Sequence, residues 1–362
     1  MDLNYKEPIE ISADTYWVGK REGDLLERNI YLRVFKGGGK QINLLIDPGP
    51  PEDLQVLTEK TSKIIKSIKN VNLIFINHQD PDVAYNASSI QRLNPNCLIL
   101  SSEDSIRLIH FYGLDLKKLR AIENFKNLEI TLTTGHKLKF VPSPYCHFRG
   151  AVMLYDPETR ILFSGDLFGG LSYNPSLFAE NGYLEGIKIF HQIYMPTKDA
   201  LKYALENIKN LDPPPLFIAP QHGSIISFEK VKEAMDFLEN LDVGLDLYLK
   251  RQEKENYLGA INEFLKEVKK WINKDDLKDI LSGFKDSTFT SMFSFTSEEI
   301  TDIKIDYDTA IDFLTRNARI LLPQEKMDFF DLEMVRIFTK WGLPVPKLKE
   351  TKEIEINLFE EE

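Results

Sequence analysis

Apolar residues in the first 250 positions fall into short β-rich runs that alternate with stretches of helical periodicity. Residues 30–35 and 41–47, separated by Gly37-Gly38-Gly39, predict consecutive antiparallel strands, and Pro48-Gly49-Pro50-Pro51 punctuates their exit. Leu54, Val56, Leu57, Ile64, Ile65 and Ile68 recur at helical spacing and predict a helix over 52–69. Further strands are predicted at 71–76, 98–100, 128–132, 137–141, 152–155, 161–164 and 216–219, with helices near 84–93 and 197–210. Asp156-Pro157-Glu158-Thr159 reads as the turn between two of these strands. Beyond Asp246 the pattern changes to charged helical stretches at 248–273, 275–284, 307–322 and 330–341, with a short β-like run near 301–306 and a frayed acidic end at 360–362. The expected organisation is an α/β domain over 1–246 followed by a mostly helical module over 247–362.

Composition narrows the partners. The chain of 362 residues is 43% hydrophobic and carries a formal charge of −11, a poor match for nucleic acid or an anionic membrane, which need clustered Lys and Arg. No apolar run approaches the ~20 residues that span a bilayer, and the first eight residues lack a basic leader with an apolar core. Two cysteines, Cys97 and Cys146, do not make a disulfide scaffold and fit a reducing, cytoplasmic setting, both read as structural thiols.

Chemistry concentrates where strands end. "FINHQDPDVAYN", residues 75–86, delivers His78, Asp80 and Asp82 immediately after a buried run. His147 follows KLKFVPSPYC, Asp166 follows ILFSG, and His222 follows LFIAPQ. Each alone has a bland reading: a hydrogen-bonded structural histidine, or, for Asp82, a helix N-cap. Together they point to one metal pocket built on loops at the ends of a rigid sheet. His110 and His136 read as a helix position and a turn residue. Tyr85, Tyr145 and His191 could approach the pocket, with packing or a surface position as the plainer reading.

The series His78-x-Asp80-x-Asp82, His147, Ser164-Gly165-Asp166 and His222-Gly223 resembles the ligand series of the metallo-β-lactamase fold, an αββα sandwich. Within that superfamily it is most similar to the diiron domain of flavodiiron proteins and to the oxygen-binding diiron proteins. "DTYWVG" at 14–19, "LLIDPG" at 44–49, "ILFSGDLFGG" at 161–170 and "IAPQHGSII" at 218–226 carry the likeness across residues 10–245. The resemblance implies one metal on His78, Asp80 and His147, a second on Asp82 and His222, and Asp166 bridging them. Two departures stand out: Asp80 where flavodiiron proteins have Glu, and Val83 where they have a final His.

An oxygen-rich site of imidazoles and carboxylates without thiolate suits two iron ions, with zinc or manganese as alternatives. The expected function is a nonheme diiron protein that binds dioxygen, as a sensor or carrier, or as a reductase of dioxygen or nitric oxide without its own flavodoxin domain. No FMN-binding segment is evident in cis, so a redox or signalling protein is the expected partner, and a homo-oligomer the expected state. A di-metal zinc hydrolase and a binding module with a degenerate site are the competing readings. The zinc hydrolases of the superfamily show H-x-H-x-D-H, whereas Asp80 stands at the second of those histidines here.

Overall fold

The structure, a computed structural model, describes residues 3–23, 25–171, 176–249, 254–268, 270, 287–296, 299–320, 322 and 326–346. It divides into two compact units, Met1–Asp246 and Leu247–Glu362.

In the first unit two sheets face each other. The larger orders its strands as β1 (Ile9–Ser12), β2 (Thr15–Trp17), β3 (Tyr31–Gly37), β4 (Lys40–Ile46), β5 (Leu73–Phe75), β6 (Leu98–Ser101) and β7 (Leu119–Ala121). Pairing is antiparallel through β4 and parallel from β4 to β7. The second sheet runs β12 (Phe217–Pro220), β11 (Ile161–Gly165), β10 (Val152–Asp156), β9 (Lys137–Pro142), β8 (Glu129–Thr131), with β11 and β12 parallel.

Strand alternation sorts side chains between two cores. Along β3 and β4, Tyr31, Phe35, Leu44 and Ile46 point between the sheets, where they meet Phe140, Leu154 and Phe163 of the second sheet. Leu32, Val34 and Leu45 point the other way, against Leu57 and Ile65 of α1 (Leu54–Ile65) and Ile90 of α2 (Asn86–Leu93). Cys97 joins that outer cluster, as a packing residue should. Helices Lys198–Lys209 and Phe228–Asn240 cover β9 and β12 on the far face, which completes the αββα order. A buried ion pair, Arg33 Nε to Asp156 Oδ2 at 2.8 Å, ties the two sheets together.

The apolar pattern located most strands to within two residues. It missed β1, β2 and β7, which are three or four residues long, and the helices Glu103–Ile109, Tyr183–Tyr194 and Phe228–Asn240. Pairing with neighbours, rather than periodicity, makes a three-residue strand. The second unit carries helices Lys254–Val268, Ser287–Met292, Tyr307–Ile320 and Met327–Lys340 and an antiparallel hairpin, Phe293–Phe295 with Ile300–Ile303. Tyr257, Phe264, Leu314, Phe330, Met334 and Phe338 form its core. The helix expected over 275–284 and the acidic end at 360–362 lie outside the described residues. No described helix is long and apolar enough to cross a membrane.

Candidate metal centre

Four strands of the sandwich end at one place. β5 leads to Asn77-His78, β9 to His147, β11 to Asp166 and β12 to Gln221-His222. The two sheets are stitched at this edge: the Val152 N–H donates to the Asn77 carbonyl at 3.1 Å and the Asn29 N–H, just before β3, to the Gln221 carbonyl at 2.5 Å. Asp80 and Asp82 sit on the one-turn helix Pro81–Ala84, where Asp80 occupies the N-cap position yet makes no side-chain cap bond. Neither carboxylate is spent on capping, so the bland reading of Asp82 as an N-cap does not hold.

All six residues singled out in the sequence meet here. Asp166 lies at the centre: its Oδ2 is 3.0 Å from His147 Nε2 and 3.6 Å from His78 Nε2, while its Oδ1 is 3.7 Å from His222 Nε2. Asp80 Oδ2 faces His147 Nε2 at 3.1 Å and His78 Nε2 at 3.5 Å. Asp82 Oδ2 faces His222 Nε2 at 3.4 Å. The geometry therefore separates into two groups, His78, Asp80 and His147 on one side and Asp82 and His222 on the other, with one oxygen of Asp166 turned to each.

Several observations test whether these residues fit metal ions. His78, His147 and Asp166 bring ligand atoms within 4.8 Å of one another. His78 Nδ1 is 2.9 Å from Asn77 Oδ1 and His222 Nδ1 is 3.1 Å from the Glu27 carbonyl, so both rings give their N–H outward and aim the Nε2 lone pair into the site. Asp166 Oδ1 is buried without a hydrogen-bond partner, an orphan that a cation would satisfy.

Electrostatics agree. Burial opposes charge on Asp80, Asp82 and Asp166, yet hydrogen bonds and charge from His78, His147 and His222 hold all three below the usual carboxylate range. Burial also opposes a proton on His147, but hydrogen bonds to Asp166 and Asp80 outweigh it and push the ring up to about 10. A proton there balances charge that a divalent ion would balance instead, with release of the proton on binding. Asp47, at the end of β4 and accepting the Asn77 N–H at 2.8 Å, is pushed by burial up to about 7. The donor set fits metal.

The floor is closed and the rim open. His78, His222 and Asp166 side chains are at most 4% exposed, against 24% for His147, 30% for Asp80 and 34% for Asp82. Helix Tyr183–Tyr194 lays Phe190 over His222 at 5.3 Å and Tyr194 beside His147 at 6.0 Å between ring centroids. Tyr85 and Tyr145 are surface residues. His191 serves the scaffold: it is fully buried, its Nδ1 2.7 Å from the Ile187 carbonyl, while its Nε2 accepts the Phe168 N–H at 3.1 Å. Burial pushes that ring down to about 4. His136 and His110 hold turn and helix-end positions away from the site, paired with Glu158 and the Ile106 carbonyl. Cys146 is a buried thiol, pushed by burial up to about 12. Val83 is fully buried in the apolar cluster with Ile30 and Ile76, so the residue standing at the family histidine packs as core.

The amides beside the acids and imidazoles escaped the sequence reading. Asn77 precedes His78, Gln79 precedes Asp80 and Gln221 precedes His222, each bonded to a site residue. Asn29 holds the His222 loop through the Pro220 and Gly223 carbonyls, both at 2.9 Å, and accepts the Trp17 indole N–H at 3.0 Å. "NHQDPD" and "PQHG" show the first three as neighbours in sequence; Asn29 had no such signal.

An αββα sandwich with histidines and aspartates gathered at one end of its two sheets is a metallo-β-lactamase-like fold. The model of the family described as ODP family beta lactamase matches residues 26–223, and the chain belongs to that family. Among solved structures it is similar to the chemotaxis sensor ODP. The peroxy diiron species of that protein is 28% identical, covering 67% of this chain and 97% of that one at a TM-score of 0.55. The apo state of ODP from T. denticola gives 27% identity and the same TM-score, covering 67% of this chain and 96% of that one. The flavodiiron protein from Giardia intestinalis shares the fold at 16% identity and a TM-score of 0.59, over 74% of this chain and 69% of that one. An uncharacterised protein of Methanocaldococcus jannaschii is 26% identical over 227 residues, 60% of this chain. The chain spans 25% to 56% of the length of the first three curated relatives it matches.

Proposed function

We propose that the protein is a nonheme diiron protein that binds dioxygen, as a sensor or carrier, or reduces dioxygen or nitric oxide with electrons from a separate donor. One iron would sit on His78, Asp80 and His147 and the other on Asp82 and His222, bridged by Asp166. The observation that carries the reading is the split of Asp166, one oxygen toward His78 and His147 and the other toward His222. Likeness to the chemotaxis sensor ODP, seen as a peroxy diiron species, supports iron and dioxygen over zinc and hydrolysis.

When bound, two ferrous ions would supply the reducing equivalents for dioxygen chemistry. The chain does the rest. Asn77 and the Glu27 carbonyl orient His78 and His222, three carboxylates offset the metal charge, and Phe190 and Tyr194 keep one wall of the site apolar. The open rim at Asp80, Asp82 and His147 admits a small ligand. A signalling or redox protein is the proposed partner, read out through Leu247–Glu362, and the proposed setting is a cytoplasmic homo-oligomer.

The test is metal content of protein purified without air, followed by its absorption spectrum on adding oxygen. About two irons per chain with a long-lived visible band supports a sensor or carrier. Two irons with sustained oxygen loss under a reductant supports a reductase. Two zincs and no spectral change refutes the redox reading in favour of a hydrolase.

A further inference from the structure

Asp80 and Asp82 each have a glutamine on them. Gln79 Nε2 donates to Asp80 Oδ1 at 2.7 Å, leaving Oδ2 to face His78 and His147. Gln221 Nε2 donates to the Asp82 carbonyl at 3.0 Å and reaches Asp82 Oδ2 at 3.4 Å. Both glutamines are anchored through their own backbones. The Tyr112 hydroxyl donates to the Gln79 carbonyl at 2.8 Å, and Gln221 is held by the Gly165 carbonyl on one side and the Asn29 N–H on the other.

Each amide also leaves its Oε1 buried without a hydrogen-bond partner. An orphaned acceptor is a cost that other contacts must offset. Turning either amide over would set Oε1 against the acidic residue that Nε2 now serves, so the bond to Asp80 or Asp82 dictates which way the amide faces. The two amides are therefore committed to the aspartates, one in each half of the site.

We propose that Gln79 is a positioning residue that limits Asp80 to one metal-facing oxygen and thereby keeps a coordination position open, while Gln221 fixes the backbone that carries Asp82. A carboxylate binds a metal through one oxygen or both. A charge-assisted hydrogen bond occupies the Asp80 oxygen that would otherwise close a chelate. On the Asp82 side the amide bonds the main-chain carbonyl and lies near the oxygen that faces His222, so it holds the loop and leaves the other oxygen unmasked. The shorter side chain of Asp80 suits this arrangement, because its free oxygen stays within reach of the residue before it. This inference rests on the two-metal reading.

Cobalt(II) tests it in the full chain, since its visible bands weaken as coordination number rises and its uptake is read apart from any reaction. In Gln79→Met the donor is lost at similar side-chain length. The expected result is a cobalt band at least twofold weaker, with affinity changed about tenfold, the usual scale for partners of ligands. Gln79→Lys, which restores a donor, is expected to recover the wild-type spectrum, and Gln221→Met to alter the band of the second cobalt. Two cobalt ions bound by Gln79→Met with wild-type affinity and spectrum would overturn the proposal, as would a Gln79→Lys protein no better than Gln79→Met. A wild-type chain that takes up no cobalt would overturn the two-metal reading itself, a different result from either.

Discussion

Replacing Gly165 with alanine probes the joint between fold and site. Gly165 ends β11 with φ +61°, and a Cβ placed there would lie 2.1 Å from Asn77 Cγ and 2.2 Å from both polar atoms of that amide. The left-handed backbone alone costs an alanine about 1 to 2 kcal/mol. The larger effect is that buried Asn77 has to leave. It would give up its Nδ2 bond to the Val152 carbonyl and its Oδ1 contact with His78 Nδ1, each worth about 1 kcal/mol, with more where a buried partner is left unpaired. The sum is a loss of about 3 to 5 kcal/mol of stability. His78 would also lose the acceptor that orients its ring, which on the usual scale weakens metal binding by about 10- to 100-fold. Urea unfolding and an iron(II) or cobalt(II) isotherm measure the two effects separately. Pairing Gly165→Ala with Asn77→Gly removes the clash but neither the backbone cost nor the two lost contacts, so the double variant should be about as unstable as Gly165→Ala and hold metal no better. A Gly165→Ala protein within about 1 kcal/mol of wild type and with unchanged metal affinity would refute the reasoning.

The remaining expectations are narrower. Asp156→Asn should cost about 3 kcal/mol or more, because it leaves Arg33 buried against a neutral partner; a shift in urea midpoint equivalent to less than ~1 kcal/mol would contradict the role given to this pair. Asp166→Asn should hold fewer than two metals per chain by elemental analysis, since the residue turns an oxygen to each half of the site; undiminished loading with two would remove its bridging assignment. His191 gives a pH prediction with a definite sign. Its folded value, about 4, lies below the unfolded value near 6.5, so the unfolded chain takes up the proton first and stability falls as pH drops through that window. The loss is about 2 kcal/mol at pH 5 and about 3 kcal/mol by pH 4, at 1.36 kcal/mol per unit; His191→Gln should flatten the drop between pH 7 and 5, and an identical slope would contradict it. Val83→His would place an imidazole within an apolar cluster next to Asp82, and is expected to slow or weaken dioxygen uptake in stopped-flow absorption; uptake unchanged within about twofold, or ~0.4 kcal/mol, would count against Val83 as the source of an open position.

The strands that carry the site, and the six residues at their ends, were legible in the order of residues along the chain. Runs such as 71–76 and 161–164 must be buried on both faces, and a buried strand that stops at His78 or Asp166 leaves that side chain at the sheet's edge. Residue types in that pattern also bounded the chemistry, because imidazoles and carboxylates gathered without thiolate can hold a hard cation. The resemblance implied how the six divide, but the distances that divide them exist only in the folded chain. Residues as far apart as His78 and His222 come together because β5 and β12 lie in different sheets that meet at one edge. Which oxygen of Asp166 faces which ring is a distance between strands, and no spacing along the chain contains it. The same holds for Asn29, which reaches the His222 loop across 191 positions, and for Gln221, which holds Asp82 across 139. A polar residue in sequence shows only that it can donate or accept; its partner is settled when two sheets pack and their buried amides must be satisfied.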